Sequence, residues 1–194
     1  MSILEEILLH NKVFVEEKEY ERYQTSKFPE KRLVILSCMD TRLVELLPQA
    51  MNLRNGDVKI VKNAGAIVSH PFGSIMRSIL VAVYELNANE VCVVGHHECG
   101  MSSINSDVIL KKIVERGVAE EKIDTLRYSG INLHKWFRGF NDVEESVRHS
   151  VEMVRNHPLL PLDIHVHGLV IDSSTGKLEV VVNGYGTKEK TPSL

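Results

Sequence analysis

The chain has 194 residues, with 23 Lys and Arg against 26 Asp and Glu, a net charge of −3 with histidine neutral. Its 43% hydrophobic and 25% charged content is that of a globular domain, which argues against a disordered, collagen-like or membrane-spanning chain. No basic excess marks a nucleic-acid surface, and three cysteines against nine histidines point to metal binding or catalysis in a reducing compartment rather than to disulfides.

The first residues lack the positive charge and long apolar run of a signal peptide, so a cytoplasmic protein is expected. Ser2 followed by Glu5 is a capping box, and Ile3, Leu4, Ile7, Leu8, Phe14 and Val15 keep helical spacing; a helix is predicted over residues 2–19. The polar stretch 21–31, containing Pro29, is read as the linker of a docked helical arm, residues 1–30. Leu33-Val34-Ile35-Leu36 is a continuous apolar run, expected for a strand covered on both faces. A helix follows around 43–51, Asn55-Gly56 signals a turn, and 58–61 reads as a second strand. Pro71 is placed just inside a long amphipathic helix whose inner face is Ile75, Ile79, Ala82, Val83 and Leu86.

Val91-Cys92-Val93-Val94 is a third buried strand, in which Cys92 reads as core packing. Residues 106–139 are helical but broken at Gly117 and Gly130, and a further helix over 142–156 is ended by Pro158 and Pro161. Strands at 164–171 and 178–182 are joined by the hairpin signal Ser173-Ser174-Thr175-Gly176. His165 and His167 share one face of the first of these and read as ordinary strand histidines. The polar tail 187–194 is expected to be loose. Strands alternating with helices imply an α/β fold: a mainly parallel central sheet flanked by helices, with an antiparallel edge, in one domain over 1–194.

Two loops that follow buried strands carry the chemistry. One holds Cys38, Asp40 and Arg42; the other holds His96, His97 and Cys99. In open α/β sheets ligands bind beyond the carboxyl ends of strands, where the winding direction switches. If the first and third strands flank such a switch, Cys38, His96 and Cys99 converge. That Cys2His set suits tetrahedral zinc with one position open, where a water is acidified into a nucleophile. Two thiolates neutralise Zn²⁺, so the acidification is less than in an all-histidine site, and a neighbouring acceptor would help. Asp40 stands two residues beyond Cys38, and Arg42 can hold it bidentately and ionised. Asp40 could instead swing onto the metal and close the site. His97 is open to reading as an alternative ligand, a proton shuttle or a loop residue. Gly95-x4-Gly100-Met101-Ser102 approaches a phosphate loop, but Met101 stands where its lysine belongs.

Cys38-x-Asp40-x-Arg42 and His96-x-x-Cys99-Gly100, with Asn63-Ala64-Gly65 between them, resemble the β-class carbonic anhydrases, in their short microbial branch. Gly168 and the segment 172–176 are similar to the end of that branch more weakly. The resemblance implies zinc on Cys38, His96 and Cys99, an Asp40 and Arg42 dyad, and a substrate pocket bordered by Gly65 and Gly100. It implies reversible hydration of carbon dioxide to bicarbonate, in a homodimer or larger assembly whose N-terminal arm embraces the partner. His97 stands where the family more often has a small hydroxyl residue. Related folds hydrolyse carbon disulfide or carbonyl sulfide with similar ligands, and a non-catalytic zinc or anion-binding protein closed by Asp40 is the remaining alternative. Neither nucleic acid nor membrane is expected as a partner.

Overall fold

Apolar runs without alternation must be covered on both faces, and these become the inner strands of one sheet. A computed structural model describes residues 1–186, so the tail expected at 187–194 lies outside the described residues. The strands are β1 (Leu33–Cys38), β2 (Val58–Asn63), β3 (Glu90–His96), β4 (His165–Ile171) and β5 (Leu178–Val182). Their order in the sheet is β2-β1-β3-β4-β5. The pairings of β1 with β2, β1 with β3 and β3 with β4 are parallel, and β5 pairs antiparallel with β4. The expected mainly parallel sheet with an antiparallel edge is the one observed.

The helices are α1 (Ile3–Glu16), α2 (Leu43–Ala50), α3 (Ser74–Glu85), α4 (Ser106–Glu115), α5 (Glu120–Tyr128), α6 (Leu133–Trp136) and α7 (Val143–Arg155). Alternation along the strands sorts side chains to two faces of the sheet. Val34, Leu36, Val91, Val93 and Val166 pack with Met76 and Ile79 of α3 and with Val147, Val151 and Val154 of α7. Ile35, Cys92, Val94 and Ile171 pack with Leu43 and Leu47 of α2. Helix α7 lies close against the sheet because β3 and β4 present Gly95 and Gly168 to it. A Cβ on Gly168 would stand 2.7 Å from Val147 Cγ1, and one on Gly95 would stand 2.8 Å from Val143 and Val147. Burial pushes the Cys92 thiol up to about 12, with Glu90 adding to the effect, so this cysteine is an inert core residue.

Three local expectations need correction. Pro71 does not open α3, which starts at Ser74 behind the N-cap Gly73. The Phe72 N–H donates to His70 Nδ1 at 3.0 Å and the Gly73 N–H donates to the His70 carbonyl at 3.1 Å, so a turn is completed before the helix can begin. The first helix has the expected capping box but ends at Glu16, since Lys18 turns left-handed at φ 57° and a 3-10 turn over Glu19–Tyr23 follows. The arm is also not docked on its own chain: α1 has no buried residue, and Ile3, Leu4, Ile7 and Leu8 are 57–76% exposed.

The breaks at Gly117 and Gly130 fall between α4 and α5 and between α5 and α6, as expected. His165 and His167 lie toward the amino end of the sheet, where β4 pairs with the start of β3. His167 Nδ1 accepts the Gly184 N–H at 3.1 Å, its Nε2 is 3.3 Å from Glu90 Oε2, and Tyr185 covers both rings. They serve the packing of the chain, as the sequence reading has it. Among the described residues no helix is long and apolar enough to cross a membrane.

Candidate metal centre

From β1 the chain crosses to β2 on one side, and β3 takes the other side of β1. The winding therefore reverses between β1 and β3, and a crevice opens beyond their carboxyl ends. Cys38 is the last residue of β1, His96 is the last of β3, and Cys99 follows one turn later. The two Sγ atoms and an imidazole nitrogen lie within 4.8 Å of one another, and all three residues are buried. The sulfurs are 3.8 Å apart. This is the convergence expected of neighbouring strands at a switch point.

The imidazole is set for ligation by its neighbour. His96 Nδ1 lies 2.8 Å from the His97 carbonyl oxygen, so Nδ1–H donates and Nε2 carries the lone pair. Nε2 is fully buried with no hydrogen-bond partner. A buried, unpartnered acceptor beside two thiols is costly unless something fills the space between them. One nitrogen and two sulfurs are the donors that a borderline-soft divalent ion takes, so the residues present fit a metal. Burial acts to raise the Cys38 thiol, but the nearby His96 ring and the backbone N–H groups of Gly65 and Asp40 outweigh it and lower it. Burial pushes Cys99 up to about 11, only partly offset by the Met101 N–H. On a metal both lose their protons, so metal uptake releases acid.

Asp40 and Arg42 meet as the spacing requires. Arg42 Nε donates to Oδ1 at 3.0 Å and Nη2 donates to Oδ2 at 2.9 Å, a bidentate fork, while the Arg42 backbone N–H donates to Oδ1 at 2.9 Å. These bonds hold the Asp40 carboxyl down at about 2. Asp40 Oδ2 is 3.7 Å from His96 Nε2, beside the unpartnered nitrogen. Arg42 also reaches the second loop, donating from Nη2 to the Glu98 carbonyl at 3.2 Å and pairing through Nη1 with Glu98 Oε2 at 3.4 Å. Glu98 is a residue that the sequence reading missed. It lies 56 positions from Arg42, and no local pattern marks such a contact.

Gly65, read as a border of the substrate pocket, donates its N–H to Cys38 Sγ at 3.3 Å. Gly100 opens the 3-10 turn after Cys99, and a Cβ there would meet nothing within 4 Å. His97 stands outside the three-donor group. Its ring is half exposed with Nε2 4.0 Å from Glu179 Oε2, and the His97 backbone N–H donates to the Ile171 carbonyl at 3.1 Å. The end of the 106–139 segment packs on the loop after Cys99, where the Phe140 N–H donates to the Met101 carbonyl at 3.3 Å.

The fold and donor set together define an α/β protein built around a buried Cys2His group able to hold a metal ion. Residues 33–178 match the family model described as carbonic anhydrase, and the chain belongs to that family, in its β class. It is 66% identical over 185 residues to the protein named "Putative carbonic anhydrase YtiB" of Bacillus subtilis, covering 95% of this chain and 99% of that one. It is 29% identical over 156 residues to a carbon disulfide hydrolase of Acidithiobacillus thiooxidans, covering 76% of each chain. The crystal structure of β-carbonic anhydrase isoform I from Trichomonas vaginalis superimposes with a TM-score of 0.87 at 34% identity, over 95% of this chain and all of that one.

Two outcomes follow from this geometry. Cys38→Ser, His96→Ala and Cys99→Ser should each reduce bound metal from about one ion per chain to a small fraction, while Cys92→Ala should retain it. Metal analysis of the purified variants checks this, and full occupancy in any of the three removes that residue from the ligand set. Asp40 is held below its unfolded value, so its pairing contributes stability that is complete above the ordinary carboxylate range of about 4. That contribution is lost as pH falls through about 2. Arg42→Gln should raise Asp40 toward the ordinary value of about 3.9, with the residue-42 backbone N–H still holding it somewhat below. Carbon-13 NMR titration of the carboxyl reads the value, and an unchanged titration near 2 in the variant would contradict the role given to Arg42.

Proposed function

We propose that the chain binds zinc through Cys38, His96 and Cys99 and catalyses the reversible hydration of carbon dioxide to bicarbonate and a proton. The observation that carries this reading is the ionised Asp40 carboxylate, gripped by Arg42 at both oxygens, beside the unpartnered His96 Nε2. Zinc in such a site supplies Lewis acidity, making water a nucleophile near neutral pH. Asp40, ionised throughout the physiological range, is an acceptor only, so it orients the O–H of a nucleophile placed next to it. Arg42 keeps Asp40 charged and keeps both of its oxygens occupied, which opposes closure of the metal by a fourth protein ligand. For that reason the bidentate fork favours a catalytic centre over a closed, non-catalytic one.

Gly65 and Gly100 bring no side chain to the crevice, which suits a small linear substrate. His97, half exposed and facing Glu179, is the residue assigned to pass the released proton to solvent. The uncovered apolar face of α1, with Ile3, Leu4, Ile7 and Leu8, supports an arm that packs on a second copy of the chain in a homo-oligomer. Carbon disulfide is the second substrate to consider, because the A. thiooxidans relative is a carbon disulfide hydrolase.

Stopped-flow hydration of carbon dioxide by the zinc-loaded protein, followed between about pH 6.5 and 9, is expected to rise with pH as the nucleophile is deprotonated. Asp40→Asn should lower kcat by about 100-fold or more while zinc is retained. Wild-type turnover in that variant removes Asp40 from the mechanism. Turnover of carbon disulfide without carbon dioxide hydration selects the second substrate, and turnover of neither overturns the catalytic reading.

A further inference from the structure

The loop behind Cys38 is held in a conformation that the chain alone would not choose. Asn63 ends β2 directly opposite Cys38 in the β1–β2 register, and its carbonyl accepts the Met39 N–H at 2.9 Å. Its carboxamide then closes a ring with Ile67: Nδ2 donates to the Ile67 carbonyl at 2.7 Å, and Oδ1 accepts the Ile67 N–H at 3.1 Å. Inside this ring the backbone turns left-handed twice in succession, at Gly65 with φ 81° and at Ala66 with φ 56°. Ala66 is buried and carries a Cβ, so its left-handed conformation persists only because its surroundings impose it. The result is a Gly65 N–H directed at Cys38 Sγ, 3.3 Å away. On the loop's other side a Cβ at Gly65 would stand 3.0 Å from Met101 Cγ, so the loop is wedged against the residue two positions beyond Cys99.

We infer that Asn63 is a positioning residue of the metal centre, acting on the bound ion through the Gly65 N–H and the Cys38 thiolate. The inference rests on Cys38 being a metal ligand. An N–H donated to a thiolate withdraws electron density from sulfur and weakens its donation to the metal. Two thiolates would otherwise neutralise a divalent ion and blunt its Lewis acidity. The bond aimed by Asn63 offsets part of that effect at one sulfur. Freed from the carboxamide ring, the loop relaxes its left-handed pair and the N–H turns away. Cys38 then becomes the stronger donor, and the centre loses both its shape and its electrophilicity.

The test uses the full chain with cobalt(II) in place of zinc, where the thiolate-to-cobalt charge-transfer band reports directly on the sulfur. In Asn63→Ala the band should move to longer wavelength and kcat should fall with KM unchanged, while misplacement of the Cys38 ligand, outweighing its stronger donation, should lower zinc affinity by chelator competition about 10- to 100-fold. Ala66→Gly relieves the left-handed strain while the clamp stays in place, so alone it should leave the band at the wild-type position. Asn63→Leu fills nearly the same space with neither hydrogen bond to Ile67 and keeps Ala66, so it should show the same shift and decides the matter where Asn63→Ala does not fold. An unshifted band with wild-type zinc affinity in the folded clamp-less variant overturns the role of Asn63 while leaving the metal centre standing. A wild-type protein that shows no thiolate-to-cobalt band at all overturns the metal reading itself, and the role of Asn63 with it.

Discussion

Arg42 spends its guanidinium on two loops at once, gripping both oxygens of Asp40 in the loop after β1 and the carbonyl of Glu98 in the loop after β3. The three-donor group draws Cys38 from the end of β1, His96 from the end of β3 and Cys99 from the loop that follows, so this one side chain ties together the two halves of the candidate centre. It also sets the protonation state of Asp40, whose carboxyl is kept ionised far below neutral pH. The pair is partly exposed, with Arg42 at 43% and Asp40 at 18% side-chain exposure, so solvent screens it and its worth lies in orientation more than in stability.

That clasp can form only because of the topology beneath it. Reversal of winding between β1 and β3 puts two strand ends side by side with no helix between them, and the parallel register brings their carboxyl ends level. Solvent-free Val34, Ile35, Leu36, Val91, Val93 and Val94 anchor these strands on both faces. Precision at the crevice is thus inherited from core packing, and the flanking loops have little freedom left to misplace a ligand.

The spacing of Cys38, Asp40 and Arg42, and of His96 and Cys99, is local, and each set sits directly after an apolar run that can only be a buried strand. Hence the sheet and the three-donor group were legible in the sequence. Contacts made across the crevice were not. Arg42 with Glu98, and Gly65 with Cys38, join residues far apart in the chain, and the spacing within each motif does not say which residues of different motifs meet. The start of α3 was misplaced because Pro71 favours a helix's first turn in general. Here the His70 ring and carbonyl capture the N–H groups of Phe72 and Gly73 first. Amphipathicity foretold one apolar face on α1, but periodicity says nothing of what covers it, and the chain itself leaves it bare.

In the proposed mechanism Arg42 holds Asp40 off the metal, so that three protein ligands leave one position open. A crystal structure of the zinc-loaded protein at neutral pH, with anomalous data to locate the metal, tests it most directly. The expected result is a zinc peak bonded to Cys38, His96 and Cys99, at about 2.3 Å from each sulfur and about 2.0 to 2.1 Å from the nitrogen, with the Asp40 carboxylate still forked on Arg42. An Asp40 oxygen bonded to the zinc, with Arg42 displaced, would contradict it.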